Sequence, residues 1–216
     1  MEGIRILQHR DLSNAEFFRR YGAPGRVGLV GGSSALDRGI RHAQRLLDPQ
    51  RRPSLWSHVF LFQGERVDGQ GWLMESDFDV TQGRLRSGAQ ENRVEKYAGE
   101  KDYPNAAVLD FGLKDVDVRK LLAAGLDFVS RRTPYALTGT LKTYWAMFNK
   151  ALDGEKSRDE IFCSAFVRTL YKHVGVDLAP GVAVRHTTPE HVARAAPPHT
   201  RHLLLRDGLD AAREQE

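Results

Sequence analysis

The chain has 216 residues, a formal charge of +4, 41% hydrophobic residues and one cysteine. A chain of this length buries roughly 70% of its unfolded surface as one domain, or as a domain with an appendage, and needs no covalent staples to do so. A single cysteine excludes an intramolecular disulfide and any multi-cysteine zinc or iron–sulfur site, and arginines that scatter instead of clustering argue against a nucleic-acid partner.

Asn14 to Tyr21 reads as a short helix ended by Gly22-Ala23-Pro24-Gly25. Arg26 to Val30 reads as a strand. After the Gly31-Gly32 turn, Ser33 or Ser34 caps a helix running to about Leu47, with Leu36, Ile40, Ala43 and Leu47 on its apolar side and Pro49 to Pro53 breaking it. Two strands follow, Ser57 to Phe62 and Gly71 to Ser76, with Gly64 to Gly69 between them as a hairpin connection. Residues 77–105 are polar and poorly periodic and are expected to form an insert, a lid or specificity loop. Ala106 to Asp110 is a further strand, and Asp115 to Val129, striped by Val118, Leu121, Leu122 and Leu126, is a helix. A second helical stretch opens at Pro134-Tyr135 and passes Trp145 and Phe148. The cysteine helix lies in Glu160 to Leu178, and Phe166, Val167, Leu170, Tyr171 and Val174 follow Cys163 at helical spacing. Ser157 and Asp159 are its candidate caps and Gly175 its stop. From Gly181 the chain reads as a surface tail with a last strand at His202 to Leu205.

Cys163 therefore stands in the first turn of a helix, where the positive end of the dipole favours thiolate, the nucleophilic form. The alternative is packing, because free cysteine is among the most buried residue types. A nucleophile needs a base, and the base needs an orienting group. His58 begins an apolar strand whose Val59 and Leu61 point to the opposite face. A hairpin turn centred near Arg66-Val67 sets Glu75 directly opposite His58, with Cβ atoms about 5 Å apart, so that the carboxylate holds one imidazole nitrogen while the other faces the thiol. A register slip or bulge would break that pairing.

Taken together, SHVFLFQGE, GWLMES, TPYA and FCSAFVRTLYKHVGVDL resemble the NlpC-type papain-like superfamily. The order, His58 before Cys163, resembles its circularly permuted branch, the YiiX/YaeF-like proteins related to lecithin:retinol acyltransferase-like enzymes. GRVGLVGGSSALDRGIRHAQ is similar to that branch's opening strand and helix. The resemblance covers about residues 25–190. It implies an α+β papain-like fold in which an antiparallel sheet packs against the cysteine helix, with residues 1–24 as an N-terminal extension and 191–216 as a tail packing on the domain. It further implies Cys163 as nucleophile, His58 as general base and Glu75 as its orienting group. The resemblance also implies that Tyr135, Ser164 and Trp56 line the substrate and oxyanion pocket and that the Cys163 N–H supplies the oxyanion contact. Two features depart from the family: Ala165-Phe166 follows the Cys-Ser pair, and the 77–105 insert is long.

Other signals carry less. Gly28 to Ser33 is neither a P-loop nor a dinucleotide fingerprint. His199 and His202 have H-x-x-H spacing but sit in a Pro-rich tail, and neither a metal nor an organic cofactor is expected. His173 is read as a surface residue late in its helix, Trp72, Trp145 and Phe148 as core, and no G-x-S-x-G elbow is present. The expected function is a cysteine hydrolase acting on an amide or peptide bond through an acyl-enzyme. The alternatives are a lipid acyl hydrolase or acyltransferase with peripheral membrane contact, and a non-catalytic binding module. No signal peptide is visible and no stretch approaches the ~18 apolar residues of a membrane span, so the expected location is cytoplasmic or reached by another export route.

Overall fold

Val27-Gly28-Leu29-Val30-Gly31 is buried at every residue, the pattern of a strand covered on both faces. In the computed structural model, which describes residues 3–81, 84–131 and 163–206, this strand is the middle one of seven. The strands are β1 (Arg5–His9), β2 (Val27–Gly31), β3 (His58–Glu65), β4 (Gly71–Thr81), β5 (Arg84–Arg93), β6 (Asn105–Asp110) and β7 (Thr200–Leu205), in the order β1-β7-β6-β2-β3-β4-β5. The helices are α1 (Asn14–Tyr21), α2 (Ala35–Ala43), α3 (Asp115–Ser130), α4 (Cys163–Lys172) and α5 (Pro189–Ala193). The fold is α+β. The sheet is mixed where an antiparallel one is expected, because β1 runs parallel to β7. None of the described helices is long and apolar enough to cross a membrane.

The alternation of side chains along the strands divides the core in two. Val27, Leu29, Val59, Leu61 and Met74 face one way and meet Phe166, Val167, Leu170 and Tyr171 of α4, with Leu121 of α3. Val30, Phe60, Phe62 and Leu73 face the other way and meet Phe17 and Phe18 of α1 and Tyr97. Local signals explain the helix starts. Ser13 and Glu16 form a reciprocal capping box at α1, and Ser34, of the two candidate serines, caps α2. Glycine is required at position 31, where a Cβ would lie 1.9 Å from the backbone oxygen of Leu55.

Three expectations change. Residues 77–105 are not a loop: β4 runs on to Thr81, β5 returns beside it, and a 3-10 turn spans Val94–Tyr97. Polar residues suit β5 because it is an edge strand, with β4 as its one ladder partner. The helix after Ser34 ends at Ala43 and gives way to a 3-10 turn, Gln44–Leu47. The sheet also takes in both ends of the chain, since β1 and β7 lie in segments read from sequence as extension and tail. Ser157, Asp159, Tyr135, Trp145 and Phe148 lie outside the described residues.

β1 and β7 are joined by more than their ladder. His9 Nε2 meets His202 Nδ1 at 3.1 Å, and the Tyr21 hydroxyl meets His9 Nδ1 at 3.2 Å. His202 is thus engaged with His9, and not with His199, whose Nδ1 faces the Pro197 carbonyl at 2.8 Å. Burial, then the His9 and Arg26 charges, pushes the His202 pKa down to about 4. Folded His202 stays neutral where unfolded His202 takes a proton. The stability tied to neutral His202 is therefore whole above the ordinary histidine pKa of about 6.5 and declines as pH falls from there toward 4. Urea midpoints measured between pH 7.5 and 4.5 should drop for the wild type and drop less steeply for His202→Asn. Parallel slopes for the two proteins would remove His202 from the account.

Candidate active site

His58 is the first residue of β3, so its ring stands at the end of the sheet, within reach of the start of α4 in the other layer. Its Nε2 lies 2.7 Å from Glu75 Oε2, and Cys163 lies close enough to the same ring for its charge to act on it. Cys163 is 2% exposed and Glu75 is 0% exposed. The three residues singled out from sequence thus lie in one corner, with His58 hydrogen-bonded to Glu75 and Cys163 beside it.

They meet by a different register from the one expected. Leu61 pairs with Met74 and Phe62 with Leu73, and the ladder shifts at a bulge between Phe62 and Gly64. Gly64 takes φ 104°, a conformation open to glycine, and the turn closes by Gly69 N–H donating to the Arg66 carbonyl. Carried to the end of β3, this pairing sets Asp77, not Glu75, opposite His58. The displacement is two residues, so Glu75 keeps its face and reaches His58 diagonally.

Glu75 receives four donors. Oε2 accepts from His58 Nε2 and from the Tyr97 hydroxyl at 2.5 Å; Oε1 accepts from Asn92 Nδ2 at 2.6 Å and Lys96 Nζ at 2.7 Å. Lys96 Nζ also donates to Asp77 Oδ2 at 2.5 Å. Burial would push the Glu75 carboxyl up. The His58 hydrogen bond and charge, then Lys96, hold it instead well below the usual carboxylate range. Burial would likewise push His58 down, yet the charges of Cys163 and Asp77, with the Cys163 and Glu75 hydrogen bonds, raise it well above an ordinary histidine. Tyr97 is pushed up by burial and by Glu75, so it remains a donor.

Asn92, Lys96, Tyr97 and Asp77 escaped the sequence reading because they lie in the segment taken for a loop. Only its polar composition hinted that something buried and charged was being satisfied. Trp56 and Ser164, given to the pocket by resemblance, are core residues here: Trp56 packs in the layer beneath α4, and the Ser164 hydroxyl donates to the Thr187 carbonyl at 2.6 Å. Arg168, another residue sequence left unmarked, fastens α4 to the following segment. Its Nε donates to Asp177 Oδ1 at 2.7 Å and one terminal nitrogen to the Val182 carbonyl at 2.8 Å. The Arg168 hydrogen bond draws the Asp177 carboxyl down to about 2.

Among the described residues, one group of three could hold a cation by donor type and spacing: His58, Glu75 and Asp77, with ligand atoms within 4.8 Å of one another. The Lys96 ammonium, bonded to both carboxylates, already supplies positive charge there.

No family model and no curated protein matches the chain. The fold is similar to the crystal structure of metalloprotein yiiX from Escherichia coli, a DUF1105 protein. The TM-score is 0.55 and the identity 14%, over 83% of this chain and 95% of that one. At this identity the likeness defines a shared α+β fold.

Proposed function

We propose that this protein is a cysteine hydrolase that cleaves an amide or peptide bond through an acyl-enzyme, on a circularly permuted NlpC-type papain-like scaffold. The observation that carries the reading is the series from the Cys163 thiol through His58 to the buried Glu75 carboxylate. A thiol, an imidazole and a buried carboxylate from three elements at one point support the roles of nucleophile, base and orienting anion. In this reading Sγ, as thiolate, attacks the carbonyl carbon, and the carbonyl π pair moves to oxygen. That oxyanion meets the Cys163 N–H, one of the first-turn donors that a helix leaves without an internal partner. As the intermediate collapses, the C–N bond breaks and the His58 imidazolium passes its Nδ1 proton to the departing nitrogen. Neutral His58 then takes a proton from water, whose oxygen attacks the thioester, and Cys163 leaves as thiolate. Glu75 holds the Nε2–H throughout.

The yiiX neighbour is a metalloprotein. The only three-donor group among the described residues has an ammonium between its carboxylates, so a metal would have to displace Lys96.

The test is intact-mass measurement after mixing with an activated acyl ester, a panel of peptide amides, or phospholipid vesicles. The expected result is a transient acyl adduct on Cys163 with a peptide amide, and a loss of turnover of about 10⁴-fold or more in Cys163→Ala. An adduct formed only from vesicles would move the substrate to lipid acyl groups. No adduct from any donor, with variant and wild type alike, would leave a binding module.

A further inference from the structure

Lys96 sits outside the nucleophile–base–carboxylate series, yet it is the group on which the state of that series turns. Glu75 is fully buried, and a buried carboxylate keeps its charge only if cations and donors replace water. The groups facing it are His58 from β3, Cys163 beyond His58 on α4, Asp77 on its own strand, Lys96 and Tyr97 from the 3-10 turn, Tyr103 nearby, and neutral Asn92 and Gln90 from β5. Of these only Lys96 carries a positive charge that is not itself a party to the reaction, for His58 gives its proton away during turnover. The two carboxylates and the thiolate make the corner strongly negative whenever His58 is neutral. A fixed ammonium at 2.7 Å from Glu75 Oε1 and 2.5 Å from Asp77 Oδ2 offsets that charge and ties the second strand of the hairpin to the turn after the third.

We infer that Lys96 is a positioning residue: through its paired contacts to Glu75 and Asp77 it keeps Glu75 ionised and aimed at His58 Nε2, so that His58 stays in place while its proton comes and goes. The inference rests on the hydrolase reading above and adds to it a residue that never touches substrate. Tyr97 and Asn92 favour the Glu75 anion by hydrogen bonding, but neither brings a charge to offset Asp77 and the thiolate, whereas the Lys96 ammonium does.

The experiment is the rate of Cys163 alkylation by iodoacetamide against pH, in wild type, His58→Ala, Lys96→Met and Lys96→Arg. Lys96→Met should move the acid limb of the profile upward by about one pH unit, because Glu75 then takes a proton at a higher pH and releases Nε2. Lys96→Arg, which keeps the charge, should restore most of that shift. Should Lys96→Met not fold, Lys96→Gln, which removes the charge but keeps a polar group, carries the same expected shift. A Lys96→Met or Lys96→Gln profile that superimposes on wild type overturns the inference. A shift as large in Lys96→Arg as in Lys96→Met overturns it too, since packing and not charge would then be at work. If wild type and His58→Ala already coincide, the hydrolase reading fails first, which separates the two failures.

Discussion

Replacing His58 with alanine is expected to slow alkylation of Cys163 at pH 6 by about tenfold and to have little effect at pH 9. A thiol with no charge partner has a pKa of about 8.5 and is ~0.3% thiolate at pH 6. Beside a protonated imidazole the thiolate is instead the favoured form. The gain in thiolate is partly offset, because a less basic thiolate is a weaker nucleophile; two to three orders in population shrink to about one in rate. The structure supplies the proton that the argument needs, since His58 is held well above the ordinary histidine value by Cys163, Asp77 and Glu75 acting against burial. The chain has one cysteine, so every alkylation event reports this site. Stopped labelling followed by intact mass gives the two rates. Equal rates at pH 6 would falsify the pairing of thiol and imidazole.

Glu75→Ala is expected to be the most destabilising single change at the site, by about 3–5 kcal/mol, because it strips partners from several buried or half-buried donors at once. His58 Nε2, the Tyr97 hydroxyl and Asn92 Nδ2 lose their acceptor, and Lys96 keeps only Asp77. The effect has a pH signature. Glu75, with a lowered folded-state pKa, contributes stability that is whole above its ordinary value near 4.5 and is lost as pH falls below it. His58, with a raised folded-state pKa, contributes stability that is whole below its ordinary value near 6.5 and is lost as pH rises through the folded value. Both contributions are therefore complete only between about pH 4.5 and 6.5. The gap in unfolding free energy between wild type and Glu75→Ala, from urea melts across pH 4 to 9, should be widest in that window. A gap independent of pH would mean that Glu75 contributes by packing alone.

The helix and strand cores were legible wherever local physics decides. The bounds of α1 follow from Ser13, Glu16 and the glycine that ends the helix, and α4 follows from the i+3, i+4 spacing of Phe166, Val167, Leu170 and Tyr171. His58, Glu75 and Cys163 were legible as candidates because their residue types, order and positions on elements match a nucleophile, base and orienting anion. The pairing of His58 with Glu75 survived an error in register because the error was even, and a two-residue slip leaves each side chain on its face. An odd slip would have turned Glu75 away.

Sequence by itself determined that a lone cysteine opens an amphipathic helix, that a histidine begins an apolar strand well before it, and that an acidic residue follows at a spacing a hairpin can close. These are matters of local period and turn chemistry, which neighbouring residues settle among themselves. The tertiary structure alone decided that residues 77–81 and 84–93 are strand and not loop, since β5 gains its hydrogen bonds from β4 and not from its own pattern. It alone placed β7 between β1 and β6, where pairing joins the two ends of the chain, nearly two hundred residues apart. It alone put Asn92, Lys96 and Tyr97 around Glu75. The reason is the same in each case: a buried charge must be matched by whatever groups the fold brings to it, and that need is felt across space, where sequence spacing has no say.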